Sequence, residues 1–322
     1  MKELLEVNQI KALSRLGPTE FVEFQELGRV DVKNNSYPIY SFIIGSKAPD
    51  APCLGLFGGV HGLERVGTHV VMAYLEALLK RMNWDKDLVE KMKSSRVVSI
   101  PLINPGGMAW KKRANPNGVD LMRNAPVEGQ DQSKFFIFSG HRISNKLPWY
   151  RGQQNKAMEY EAQILVDFVT REMFSSKISM AIDFHSGFGM VDRFWYPYAK
   201  TTATFPRIRE VQAIKSLLDQ SLPHHIYNIG PQSHHYTTHG DLWDYLFDDH
   251  HIQNGATDKI FLPWTLEMGS WNWVKKNPKQ LFNLLGPFNP IIGHRYDRTM
   301  RRHISLIDFI FAATRNSHCW SK

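Results

Sequence analysis

Short apolar runs of four to eight residues alternate along this chain with longer stretches whose apolar residues recur at helical spacing. That alternation constrains the fold more than any other feature. The runs at 37–44, 53–57, 97–103, 178–184, 193–198 and 260–266 read as strands. Between them, 64–82, 156–174, 204–222, 241–247 and 298–315 read as helices; in the first, Val66, Val70, Val71, Tyr74, Leu75, Leu78 and Leu79 share one face. Strands separated by helices of ten or more residues need crossover connections and so favour parallel pairing. The expected fold is α/β: a mixed, largely parallel central sheet flanked by helices. No internal repeat or low-complexity linker divides the chain. Residues 1–322 therefore read as one domain with a long irregular insertion at about 125–155, marked by Gly129, Gly140, Pro148 and Gly152. Loops of that length in compact domains often carry function.

Composition narrows the class. Hydrophobic residues are 43% and charged residues 22% of the 322, which excludes a disordered or fibrous chain. Two cysteines, Cys53 and Cys319, cannot staple a fold of this size. No apolar run approaches the roughly 20 residues that cross a bilayer, and the first residues, which mix Glu with Leu, lack the apolar core of a signal peptide. The Met start and sparse Cys favour the cytoplasm, and neither a membrane nor a nucleic-acid partner is expected. The net charge is +8, with a basic cluster at Arg295, Arg298, Arg301 and Arg302. Without a recognisable nucleic-acid-reading element, that cluster reads as a solvated helix face.

In open α/β sheets, ligands bind beyond the carboxyl ends of the strands. After the strand at 53–57 comes Gly58-Gly59-Val60-His61-Gly62-Leu63-Glu64, with His61 and Glu64 three apart at the mouth of a helix. After 178–184 comes His185, and after 260–266 comes Glu267. Two His and one Glu are the ligand set of a catalytic zinc that leaves its fourth position to water. Such a metal lowers the pKa of that water from about 15.7 to about 7. A further carboxylate nearby can then act as general base, and Glu267 has the right type and placement. In a chain with 14 His, the His-x-x-Glu spacing alone is weak; the joint pattern carries the reading. The many loop histidines between 224 and 251 show no convincing ligand spacing. There is no G-x-S-x-G elbow of a serine hydrolase and no G-x-G-x-x-G after a strand.

The joint pattern resembles the M14 zinc carboxypeptidases, the carboxypeptidase A-like metallopeptidases. Gly59-Val60-His61-Gly62-Leu63-Glu64 is similar to the family's HxxE motif, and Asn104-Pro105-Gly106-Gly107 to its NPDG segment. Arg113-Ala114-Asn115-Pro116-Asn117-Gly118-Val119-Asp120-Leu121-Met122-Arg123-Asn124 resembles its R-x-N-x-x-GVDLNRN run, the most specific of the matches. Tyr150-Arg151-Gly152 with Glu159-Tyr160-Glu161, Asp183-Phe184-His185-Ser186, Tyr236-Thr237-Thr238-His239-Gly240 and Leu266-Glu267 follow in the family's order across roughly 50–270. Carboxypeptidase A is itself a standard example of the two-His, one-Glu zinc set.

The resemblance implies a role for each residue. His61, Glu64 and His185 would bind one zinc ion. Glu267 would be general base and then general acid. Arg113 would stabilise the oxyanion, Arg123 would pair with a substrate carboxylate, and Tyr236 would close over the substrate. Asp183, two residues before a ligand, could orient the His185 ring. Trp243 would line the specificity pocket and narrow it. One position departs from the family: Met122 stands where Asn usually helps the arginine hold a C-terminal carboxylate, and a thioether cannot donate a hydrogen bond. The expected activity is therefore amide hydrolysis, as a metallocarboxypeptidase acting on peptides. The alternatives are an amidase or deacylase of short cell-wall peptides or N-acyl amino acids and, from another class, a non-catalytic small-ligand binder. The binder is disfavoured because all four metal and base positions are intact.

Overall fold

The computed structural model describes residues 4–130, 137–187, 189–255 and 257–321. One sheet of eight strands organises them: β1 (Val22–Val32), β2 (Asn35–Gly45), β3 (Cys53–Gly58), β4 (Arg96–Ile100), β5 (Ile178–Gly187), β6 (Arg193–Tyr196), β7 (Asn228–Pro231) and β8 (Ile260–Gly269). Their spatial order is β1-β2-β4-β3-β5-β8-β6-β7. The four central strands, β4-β3-β5-β8, run parallel, and antiparallel pairs join β1 to β2, β2 to β4 and β6 to β8. β3 is buried at every residue, as expected of a parallel strand covered on both faces.

Helices cover the two faces: α1 (Leu5–Leu13), α2 (Arg65–Arg81), α3 (Lys86–Lys93), α4 (Pro105–Ala109), α5 (Tyr160–Met173), α6 (Ile208–Ser221), α7 (Leu242–Asn254), α8 (Trp271–Lys276) and α9 (Gly293–Arg315). The apolar face expected on α2 is the buried one. Gly67 lets this helix approach β5 closely, since a Cβ there would lie 2.1 Å from the Phe184 carbonyl oxygen. That approach carries Glu64, at the helix entrance, to the end of β5.

Expected strands and helices appear with shifted ends; residues 1–50, which read as a helix and two strands, hold α1, β1 and β2, and α3, α4, β7 and α8 are additional. One shift has a chemical consequence. His185 and Glu267 were expected beyond their strands, but both lie inside them, because β5 and β8 stay paired as far as Gly187 opposite Gly269. In the long stretch at 125–155, the described residues hold only a bridge between His141 and Tyr150; residues 131–136 lie outside the described set.

Candidate metal-dependent active site

His61 and Glu64 sit in the turn between β3 and α2, which neighbouring backbone locks in place. Asn104 caps α4 through Gly107 N–H at 2.7 Å and donates Nδ2–H to the Val60 carbonyl at 3.1 Å. Gly62 N–H donates to the Arg113 carbonyl. The imidazoles of His61 and His185 face each other with their Nδ1 atoms 3.2 Å apart. Glu64 lies 3.0 Å from His61 Nδ1 through Oε1 and 3.2 Å from His185 Nδ1 through Oε2. Among the described residues this is the one group of His, Cys, Asp and Glu placed to hold a metal ion.

The far side of each ring fixes its tautomer. His61 Nε2 lies 2.9 Å from Asp120 Oδ1, and His185 Nε2 lies 2.8 Å from Asp183 Oδ2. An ionised carboxylate can only accept, so each Nε2 carries the hydrogen and each Nδ1 turns a lone pair toward the common point. Two lone pairs and a carboxylate 3.0–3.2 Å apart fit one cation: a tetrahedron with metal–ligand bonds of about 2.0–2.1 Å has edges of about 3.4 Å. Burial alone would lower the His185 pKa, but Asp183 and Glu64 outweigh it and hold it well above the ordinary imidazole value, so a cation that takes the Nδ1 lone pair displaces a proton from it.

Glu267 stands opposite His185 in the parallel ladder, on the same face of the sheet. Burial and the neighbouring Glu64 push its carboxyl up to about 7. Room for it comes from Gly187, where a Cβ would lie 2.3 Å from Glu267 Oε1. A carboxylate tuned near neutrality can both take and return a proton at physiological pH.

Asp120 is the residue that sequence reasoning did not single out. Its Oδ1 meets His61, and its Oδ2 accepts from Arg113 Nε and Arg123 Nη1, both at 2.9 Å. One buried carboxylate therefore orients a metal ligand and both arginines. Burial would raise its pKa, but Arg113, Arg123 and His61 hold it well below the usual carboxylate range. The turn that presents it is built by Asn115, whose Oδ1 accepts from Asn117 and Val119 N–H and whose Nδ2 donates to Glu159 and Glu161. The signal lay in the Arg113–Asn124 run itself, where Asp120 is the acidic residue between the two arginines.

Of the predicted site residues, all but Glu64 and Trp243 line a single narrow cavity. Arg113 also donates to Glu64 Oε1 at 3.0 Å. Arg123 spends Nε–H and one Nη2–H on the Phe138 carbonyl and one Nη1–H on Asp120. Of its five N–H groups, one on each terminal nitrogen remains. Met122 and Tyr236 both line its wall. Trp243 does not line that cavity but borders a smaller one adjoining it, which shares Trp195, Gln232, Asp241 and Thr265 with the first. Its indole donates to Asp183 at 2.9 Å and packs on Phe57, in the layer behind His185. Asp241 caps the first turn of α7 through the N–H groups of Trp243 and Asp244, and this sends the Trp243 side chain inward. The cavity wall near Tyr236 is made instead by Trp195, Thr238 and Asp241. Trp195 Nε1 and Thr238 Oγ1 are buried there without a protein partner among the described residues.

The fold and site define a class: a mixed α/β architecture whose central strands and their turns bring two His and one Glu together as a group that could hold a metal ion. Residues 26–272 match the Peptidase_M14 family, zinc carboxypeptidase, and the chain belongs to that family. It is similar to carboxypeptidase E of Caenorhabditis elegans, 31% identical over 27% of this chain and 21% of that protein. It is also similar to carboxypeptidase D of Anas platyrhynchos, 23% identical over 66% of this chain and 13% of that protein. The chain thus spans about a fifth or less of the curated relatives it matches. Among solved structures, thrombin-activatable fibrinolysis inhibitor superposes over 97% of this chain and 73% of its own, with TM-score 0.67 and 16% identity. A bovine form of that protein, in complex with tick carboxypeptidase inhibitor, superposes over 97% of this chain and 96% of its own, with TM-score 0.63 and 17% identity.

Proposed function

We propose that the protein is a zinc-dependent metallocarboxypeptidase that removes C-terminal residues from peptides. The observation that carries this reading is the convergence of His61, Glu64 and His185 on one point with Glu267 beside it in register. When bound, zinc supplies a Lewis acid that makes water nucleophilic near neutral pH. Glu267 takes the proton of the attacking water and returns it to the leaving amine nitrogen. Arg113, held by Asp120 and Glu64, keeps N–H groups toward the cavity for the oxyanion; a single such donor is typically worth about 3–4 kcal/mol. Arg123 offers its two remaining terminal N–H groups to a substrate carboxylate, the planar geometry a guanidinium matches. Tyr236, at the mouth, lies over the bound residue.

Met122 favours a second reading, an amidase or deacylase whose substrate does not present an ordinary C-terminus. With Met122 in place of Asn, Arg123 receives no help from its neighbour. Zinc-loaded protein given matched peptides with free and amidated C-termini decides between the two. Loss of the last residue from free-carboxylate peptides alone is the expected result. Equal cleavage of amidated or N-acylated substrates transfers the assignment to the amidase, and no cleavage of any amide overturns both.

A further inference from the structure

The basic cluster near the C-terminus lies on a solvated helix face, with Arg298, Arg301 and Arg302 exposed, and part of that face borders a cavity. Arg295, Arg298 and Arg302 share one side of α9 and, with Lys276 and His294, line a cavity of about 380 Å³ between α8, α9 and the β5–β6 connection. Its one lining acid, Asp192, already accepts from Gly269 N–H and Arg302. Among the described residues, Arg295 donates to the Trp273 and Lys276 carbonyls. Among the described residues, Lys276, Arg295 and Arg298 have no carboxylate partner. A concentration of unpaired cations of this kind attracts polyanions.

A second, independent feature adjoins it. The loop at 277–292 leaves the cavity rim at Lys276 and returns to it at His294. It is an ordered loop: Gln280 is buried and donates to the Gly286 carbonyl at 2.7 Å. Asn289 donates to the Leu63 carbonyl and accepts from Val66 N–H, and the Phe288 carbonyl accepts from Ser186 Oγ. Its inner limb is thus fastened to the backbone on either side of Glu64 and beside His185. Its outer limb exposes Phe282 at 95%, Leu284 at 63% and Leu281 at 47%, with Ile291 exposed nearby. A fixed loop that holds several large apolar side chains in water marks an interaction surface. Leu281, Phe282 and Leu284 fall within four residues of chain, with Lys275, Lys276 and Lys279 in the same stretch. Apolar side chains entering an interface beside cations that meet phosphates are the physical signature of attachment to an anionic bilayer. No spanning segment is needed for it, and among the described residues no helix is long and apolar enough to cross a membrane.

We propose that this face docks the protein on an anionic phospholipid surface, with Phe282 and Leu284 entering the interface and the Lys276–Arg298 cavity receiving a headgroup phosphate. The proposal stands whatever bond the metal site cleaves.

Co-sedimentation with phosphatidylcholine vesicles, with and without phosphatidylglycerol, tests it on the full chain. Binding is expected only with phosphatidylglycerol and falls as salt rises. Lys276→Gln with Arg298→Gln lowers the partition coefficient about thirty-fold. Phe282→Ser with Leu284→Ser lowers it about ten-fold or more. All four positions are remote from the proposed chemistry, so thermal melting and basal turnover stay at wild-type values. Equal binding to neutral vesicles, no binding, or binding untouched by either pair overturns the proposal. So does release of the protein from vesicles by inorganic phosphate at matched ionic strength, which assigns the cavity to a soluble anion. Self-association abolished by the Phe282→Ser, Leu284→Ser pair overturns it as well, because a second copy then covers the loop.

Discussion

Asp120→Asn tests how far a residue that touches no metal controls the centre. The substitution keeps shape and removes one acceptor. Arg113 and Arg123 cannot give up their protons, so the Asn oxygen turns toward them, where Oδ2 now accepts at 2.9 Å from each. The new amide N–H group then faces His61 Nε2, donor against donor. Relief comes only if His61 moves its proton to Nδ1, the atom that looks toward Glu64 and His185. A protonated Nδ1 cannot ligate. Each lost bond to a charged group is worth roughly 1.5–3 kcal/mol, which corresponds to about a 10–100-fold loss of metal affinity, the range typical for such outer partners. The buried site also loses a negative charge that favoured a cation. Zinc titration against a competing chelator reads the effect directly, with near-ultraviolet circular dichroism to show an intact fold. At limiting zinc, kcat/KM falls by at least the same factor. Wild-type zinc affinity together with wild-type kcat/KM in Asp120→Asn would refute the reasoning.

Other outcomes follow from the same geometry. Glu267→Gln retains zinc and fold but loses turnover by about 10²-fold or more; full activity would remove Glu267 as the base. Gly187→Ala forces the Glu267 carboxylate from its place, since the new Cβ would lie 2.3 Å from Oε1. It lowers kcat by 10-fold or more at unchanged zinc content, checked by steady-state kinetics beside metal analysis. His303 is buried, with Tyr227 Oη 3.0 Å from Nδ1, and burial pulls its pKa down to about 4. Its folded pKa lies below the unfolded value, so the unfolded chain takes up more protons and stability is lost as pH falls from about 6.5 toward 4. Between pH 7.5 and 5, wild type should lose about 2 kcal/mol more than His303→Gln in denaturant titrations.

The sheet was legible because its central strands are short apolar runs and because α2 carries an uninterrupted apolar face. The candidate metal set was legible because His61 and Glu64 fall three apart in one turn and His185 comes near the end of an apolar strand. What escaped depends on contacts across the chain. Asp120 gains its role only when the Asn115 turn brings it against His61, 59 residues away in sequence. Trp243 could not be placed from spacing, because its direction is set by the Asp241 cap two residues earlier. The strand ends were misjudged for a related reason: nothing local says that β5 and β8 hold each other as far as two facing glycines. The Arg295–Arg302 cluster looked like a solvated helix surface alone because the sequence does not show Lys276 and Asp192 arriving on the other side of its cavity.

The pairing of His185 with Glu267 separates two kinds of evolutionary freedom. The span between ligand and base is a ladder spacing, fixed by backbone hydrogen bonds that no side-chain change nearby can stretch. The cavity walls around Tyr236, Thr238 and Asp241 ride on connections outside that ladder. Insertions or exchanges there can alter what is bound without detuning what is done to it. For an engineer, the segment at 232–241 is where new selectivity can be grafted, while β5 and β8 serve as a fixed chassis.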